Sequence, residues 1–197
     1  KSYIRNIFLR LSTFCRDLKY RQLVKNSQIV PQKGLNNFAA RYRIAKSLQS
    51  IDFGSVAQDT QNSYFAALRV QLSYNALESF GNSIAKEVHK IKIKDSNLCK
   101  KFRSGNGIKY LTCLIDFANP SLSQQLKQWI SEEKNDNLNL IARVTRHSFA
   151  HGHFTPFGCS IARSKTAINM LHSLANQTII SCDYHLNEFI KSNTKHF

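Results

Sequence analysis

The sequence predicts an all-α fold, a helical bundle built on two long helices with additional helices at its N-terminus. Apolar residues recur at spacings of three and four over long segments, which is the period of an amphipathic helix. The 197 residues include only seven glycines and three prolines, which argues against a turn-rich all-β fold. A chain of 197 residues is long enough to form a core without disulfide or metal staples, and its hydrophobic content of 42% argues against disorder.

The first 50 residues predict two helices. Residues 2–25 carry apolar side chains at helical spacing, and the opposite side of this helix is strongly basic. Pro31 and Gly34 interrupt the pattern, and a shorter helix is expected over 36–49. These helices are either an arm or a part of the bundle.

The first long helix is expected over 55–91, where one apolar stripe runs from Tyr64 to Ile91. Asn75 falls on the same side as that stripe, where a buried polar side chain would need a partner. Residues 92–107 are charged and glycine-containing, and we expect a loop there.

The second half of the chain predicts two shorter helices and a second long one. Residues 108–117 are apolar, and their period fits either a helix or a strand. Pro120 opens a helix that runs to about residue 133, and Asp136 is a candidate N-cap for a helix over 137–151. The last long helix is expected over 164–191.

The net charge of +16 indicates a polyanionic partner, most often nucleic acid, although a solvated basic face without a partner is the alternative. Residues 1–50 contain eleven basic residues and one acidic residue, Asp17. Nucleic acid is therefore an expected partner. The candidate nucleic-acid-binding residues are Arg5, Arg10, Arg16, Lys19, Arg21, Arg41 and Arg43.

The five cysteines are widely spaced and form no C-x-x-C pair, so we expect buried thiols in a reducing compartment. No apolar run approaches the roughly 18 residues of a membrane span. No signal peptide is visible either. We therefore expect a cytoplasmic protein with no membrane partner.

The segment RHSFAHGHF, residues 146–154, gathers three histidines and an arginine at the end of a predicted helix. His147 and His151 are four residues apart and share a face. Arg146 lies about 140° round the helix from His151. The cluster has three possible interpretations: a metal site, a polar helix end, and a catalytic site.

A metal site here would resemble the zinc motif H-E-x-x-H, in which two histidines four residues apart bind the ion. Ser148 replaces its glutamate, His153 and Cys159 are the nearby third ligands, and Arg146 would repel a cation. A capped helix end explains Arg146 and His151 singly, because cations stabilise a helix C-terminus. It leaves unexplained why His147 and Ser148 also lie on the apolar line. We predict no metal and no cofactor.

The catalytic interpretation uses the nucleophile that RNA carries itself, the 2′-hydroxyl. A histidine can move a proton near neutral pH, and the planar guanidinium of an arginine can stabilise charge on a phosphorane. One helix cannot easily aim both groups at one phosphate. A second copy of the chain would help to complete the site.

At these residues the sequence resembles the HEPN superfamily, whose motif is R-x4-H followed by glycine, with a polar residue after the arginine. The resemblance implies an all-helical bundle, a homodimer with facing motifs, and metal-independent endoribonuclease activity. It also implies frequent service as a toxin or defence effector, and hence an antitoxin or inhibitor protein as a further partner. Arg146 and His151 match the catalytic pair, and His147 matches the supporting polar residue.

One position departs from the family pattern. Many toxins of the superfamily carry R-x4-H-x-Tyr, and His153 stands where that tyrosine is modified, so control by that modification is not expected. His153 is either a further proton-handling or phosphate-contacting group or loop surface. The remaining candidate supporting residues are Ser148, Asn75 and Glu78. The Glu78 carboxylate could orient Arg146 or His147, and the alternative is a solvated helix residue.

The resemblance covers mainly residues 55–191. The predicted division is therefore a basic N-terminal region, 1–50, and a HEPN-like helical domain, 51–197. The alternative to a ribonuclease is a catalytically silent HEPN-like module that binds nucleic acid or a partner protein.

Overall fold

A computed structural model describes residues 32–156 and 158–193, and it confirms the all-α prediction. Within these ranges no strand forms, and no helix is both long and apolar enough to cross a membrane. The α-helices of the described residues are α1 (Gln32–Ser47), α2 (Gln58–Ser83), α3 (Ser96–Phe102), α4 (Gly105–Phe117), α5 (Pro120–Ser131), α6 (Asn139–Ala150) and α7 (Lys165–Asn193).

The helix α2 lies at the centre of the bundle and packs against α1, α6 and α7. Its buried positions are rich in small side chains, which let neighbouring backbones approach closely on several sides. Because of these small residues, the faces of α2 differ little in hydrophobicity, although it is a core helix. The small buried residues are Thr60, Ser63, Ala66, Ala67, Ser73, Ala76, Ser79, Gly81 and Ser83.

The helix α1 is packed into this bundle. Phe38 is buried, and its ring centroid lies 5.2 Å from that of Phe80 on α2. The Tyr42 hydroxyl donates a 2.6 Å hydrogen bond to the buried carboxylate of Asp183 on α7, whose pKa is raised by burial. The predicted helix over 2–25 lies outside the described residues. The division at residue 50 stays a prediction.

The prediction that the first long helix reaches residue 91 is wrong, because α2 ends at Ser83. Ala85 adopts a left-handed φ of 52°, and the Lys86 amide donates to the Gly81 carbonyl. A Cβ atom at Gly81 would lie 2.7 Å from Val88 Cγ2. The missing side chain of Gly81 therefore lets the chain fold back over the end of α2.

The predicted loop over 92–107 contains a helix, α3, and the start of α4. The Asp95 side chain caps α3 by accepting from the Leu98 amide at 2.9 Å. Gly107 allows α3 and α4 to approach closely, since a Cβ atom there would lie 2.0 Å from the Lys101 carbonyl oxygen. The ambiguous segment 108–117 is helical as part of α4.

Asp136 is not the N-cap of α6, because that helix begins at Asn139 with Leu138 in the cap position. The Asn137 side chain binds the helix start instead, accepting from the amides of Asn139 at 3.1 Å and Ile93 at 3.0 Å. An asparagine oxygen thus joins the start of α6 to the chain that follows α2.

The prediction of five unpaired thiols is wrong for one pair, since the structure joins Cys113 and Cys159 as a disulfide. Cys113 is on α4, and the fold brings it to a residue 46 positions later in the chain. Such a pairing leaves no spacing pattern in the sequence. Cys99 and Cys182 are free and buried.

Candidate functional site

The motif occupies the C-terminal end of α6. Arg146 and His147 belong to the helix, His151 is its C-cap, and Gly152 takes a left-handed φ of 68°. The Gly152 amide donates to the Phe149 carbonyl at 3.1 Å, a bond that ends the helix in an ordered turn. The glycine after the motif histidine therefore has a structural role.

Arg146 is held by two acceptors on α2. Its Nε donates to Asn75 Oδ1 at 3.0 Å, and its Nη2 pairs with Glu78 Oε2 at 3.1 Å. Asn75 and Glu78 are three residues apart and share a face of the helix. The Arg146 and Glu78 side chains are 28% and 35% exposed, so this ion pair is partly shielded from water.

The three histidines form a row beside Arg146. The ring centroids of His147 and His151 are 4.5 Å apart, and those of His151 and His153 are 6.1 Å apart and stacked. His147 is half-buried, whereas His151 and His153 are exposed. Burial, followed by His151 and Arg146, lowers the pKa of His147 below its usual value, with smaller contributions from His153 and Arg143. This favours the neutral imidazole, which can accept a proton.

A cavity of about 250 Å³ opens between α2, α6 and the chain after α2. Sequence reasoning missed two of its lining residues, Arg143 and His89. Arg143 could have been found, because it precedes Arg146 and His147 by three and four residues on the same helix. His89 left no such signal, because its position depends on the fold of a loop. The other lining residues are Tyr74, Glu78, Val88, Arg146 and His147.

Ser148 does not join this cluster. Its side chain is fully buried, and its hydroxyl has no hydrogen-bond partner among the described residues. Cys159 is paired with Cys113 and is therefore not a free thiolate for a metal. In residues 32–156 and 158–193, no three histidine, cysteine or carboxylate side chains form a group that could hold a metal ion.

Two of the seven candidate nucleic-acid-binding residues lie in the described ranges. Arg41 and Arg43 are exposed on α1, and Arg41 also donates to the Ser79 hydroxyl on α2. Arg43 donates to the Ala39 carbonyl of its own helix. The other five residues precede residue 32 and lie outside the described part of the chain.

No protein-family model, curated protein or solved structure matches this chain. The HEPN resemblance rests on the short motif from Arg146 to Gly152 and on the all-α fold. Any functional assignment must therefore come from the chemistry of the site.

We expect His147 to titrate below the ordinary histidine pKa of 6.5, because it is half-buried among cationic groups. Replacing Arg146 with glutamine removes one positive charge and should raise the pKa of His147. The measurement is an NMR titration of the imidazole resonances. Lys127→Gln, which removes an exposed charge on α5, is the matched control and should leave the pKa unchanged. An unshifted His147 in the parent would contradict the geometry of this cluster.

Proposed function

We propose that the protein is a metal-independent endoribonuclease of the HEPN type. The observation that supports this most directly is the fixed arginine beside a histidine pair. Arg146 is tied to Asn75 and Glu78, and the ring of its neighbour His147 lies 4.5 Å from that of His151. An imidazole can transfer the proton and a guanidinium can stabilise the charged phosphorane, so this pair of groups suits RNA transesterification.

In the proposed reaction, a histidine removes the proton from the 2′-hydroxyl of RNA, and the freed oxygen attacks the adjacent phosphorus. The bond from phosphorus to the 5′-oxygen breaks, and the departing oxygen takes up a proton. The products are a 2′,3′-cyclic phosphate and a 5′-hydroxyl. His151 would transfer protons, Arg146 would stabilise the charged phosphorane, and His147 would position His151.

Two exposed apolar side chains in the segment before α2 suit contact with a second copy of the chain. Phe53 and Val56 are 44% and 39% exposed. The Phe53 ring lies 5.7 Å from that of Tyr64, which lies 6.1 Å from that of Phe149 within the motif. Large apolar side chains that are open to water favour burial in an interface. We propose a homodimer in which both motifs serve one cleft.

One observation favours a catalytically silent module that binds nucleic acid or a partner protein. Two of the three guanidinium nitrogens of Arg146 already bind Asn75 and Glu78, so only Nη1 is without a partner among the described residues. A guanidinium committed to the fold has fewer donors to offer a phosphorane. Cleavage assays separate this candidate from the ribonuclease.

Arg146→Ala and His151→Ala should each reduce the cleavage of single-stranded RNA in EDTA by about 100-fold or more. Arg146→Ala removes the stabilisation of the charged phosphorane, and His151→Ala removes proton transfer. Cleavage is followed on labelled RNA by gel electrophoresis. His172→Ala on α7 removes a histidine outside the motif and should cleave like the parent. Activity that survives either motif variant, or that requires a divalent metal, would refute the mechanism.

Binding without cleavage would identify the silent module, whose RNA affinity should fall steeply with salt. Service as a toxin would appear as growth arrest on expression, relieved by Arg146→Ala. An antitoxin or inhibitor protein would be sought only after such arrest.

Replacing Phe53 and Val56 together with aspartate should convert a dimer to a monomer and reduce cleavage, because two charges would enter an apolar interface. The mass is measured by analytical ultracentrifugation. Ile44→Asp, at an apolar residue of α1 that is 54% exposed, is the control and should remain dimeric. A parent protein that is monomeric at assay concentrations and still cleaves RNA would contradict the shared cleft.

A further inference from the structure

A second basic surface lies between the chain that follows α2 and the C-terminal half of α7. It is a groove of about 520 Å³, which we call the lysine groove. One wall carries a row of lysines and the other carries side chains of α7. The groove residues used below are Lys86, Lys90, Lys92, Lys94, Ile180 and Tyr184.

The lysine row arises from an extended backbone. Ile91 and Ile93 are fully buried, whereas Lys90, Lys92 and Lys94 are exposed. From Ile91 to Lys94 this is the alternation of an extended segment, in which every second side chain points to the same side. Lys90 ends the 3-10 turn that precedes this segment. Alternate residues of such a segment are roughly 6.5 Å apart. That spacing is comparable to the spacing of phosphates along an extended single strand of nucleic acid.

The row is fixed to the bundle by hydrogen bonds from two helices. The Asn139 side-chain amide donates to the carbonyls of Val88 at 2.9 Å and Ile91 at 2.7 Å. The Ser181 hydroxyl on α7 donates to the Lys92 carbonyl at 2.9 Å. Because these bonds hold the backbone in place, binding would order mainly the lysine side chains.

Positive charge is in excess at the groove, although Asp95 lies beside it and accepts from the lining residue Gln177 at 3.0 Å. Lys90 pairs with Glu87 at 3.1 Å, but Lys86, Lys92 and Lys94 have no ion pair within the described part of the chain. None of the described residues that line the groove has a carboxylate side chain. Like charges are held close together here, which favours a polyanion as occupant.

The α7 wall adds an exposed aromatic ring. Tyr184 is 60% exposed and Ile180 is 45% exposed, and both belong to the few large apolar side chains that the described residues leave open to water. The Tyr184 ring is supported by His185, with ring centroids 5.2 Å apart. A supported aromatic ring beside a row of cations is the arrangement that binds single-stranded nucleic acid, since bases stack on the ring and phosphates meet the cations.

We propose that the lysine groove binds a single-stranded RNA segment, with its phosphates along Lys92 and Lys94 and a base stacked on Tyr184. The choice of RNA rests on the proposed function, whereas the preference for a single strand comes from the groove itself. His89 lines the cavity beside Arg146, and the next residue, Lys90, lines the groove. In this proposal one strand passes from the groove to the candidate site.

The test measures the affinity of the full chain for a fluorescein-labelled single-stranded RNA by fluorescence anisotropy. It uses a His151→Ala background, in which cleavage should be slowed about 100-fold or more. Adding Lys92→Ala and Lys94→Ala should weaken binding by about tenfold and lower the salt slope by about 1.4, which is roughly 0.7 per phosphate contact. Lys100→Ala with Lys101→Ala on α3 removes the same charge elsewhere and should change neither the affinity nor the slope.

Tyr184 separates stacking from charge. Tyr184→Ala should weaken binding about fivefold or more at an unchanged salt slope, and Tyr184→Phe should bind like the parent because it keeps the ring. All these side chains are exposed, and circular dichroism checks that each variant is folded. Groove variants that bind like the parent, or no more weakly than the α3 control, would overturn the proposal.

Competitors identify the occupant. An unlabelled single strand should displace the probe better than a duplex of the same sequence, because a duplex hides its base faces. Displacement by polyglutamate as effective as by the single strand would overturn the RNA assignment in favour of an acidic protein. Cleavage is assayed separately on the parent chain, which carries none of these substitutions. A groove that binds while this chain cuts nothing would refute only the proposed function.

Discussion

The candidate site depends on one constraint, the attachment of the Arg146 guanidinium to two acceptors on α2. Arg146 precedes His147 directly, so fixing its side chain also fixes the helix turn that carries the histidines. The acceptors are Asn75 and Glu78, on a helix whose small buried side chains let α6 pack close by. The pKa of His147 is lowered as a result of the burial and the positive charge that this packing creates.

The loop that follows α2 connects the candidate site with the lysine groove. Gly81 allows the chain to fold back, and Asn139 at the start of α6 holds the returning backbone. The same few residues then place His89 in the cavity and Lys90 in the groove. A change that loosens this loop is therefore expected to disturb both surfaces, although they contain different side chains.

Periodicity predicted the all-α class and most of the helices, because burial on one side leaves a regular mark on a helix. It failed at the end of α2, where Ala85 turns the chain back and Gly81 leaves room for Val88, an arrangement that no spacing rule describes. Asn75 and Glu78 could be proposed from the sequence because they lie on a long helix. The lysine groove could not, since its two walls are about 90 residues apart in the chain and meet only through the fold.

A double-mutant cycle on RNA cleavage tests the central claim most directly, that Glu78 acts by holding a catalytic Arg146. kcat/KM is measured for the parent, Glu78→Ala, Arg146→Ala and the double variant. The account predicts that Glu78→Ala slows cleavage and that the double variant is no slower than Arg146→Ala alone, because Glu78 has no role once the guanidinium is gone. The account would be contradicted if the loss of kcat/KM in the double variant equalled the product of the two single losses. A parent that cleaves no RNA would also contradict it.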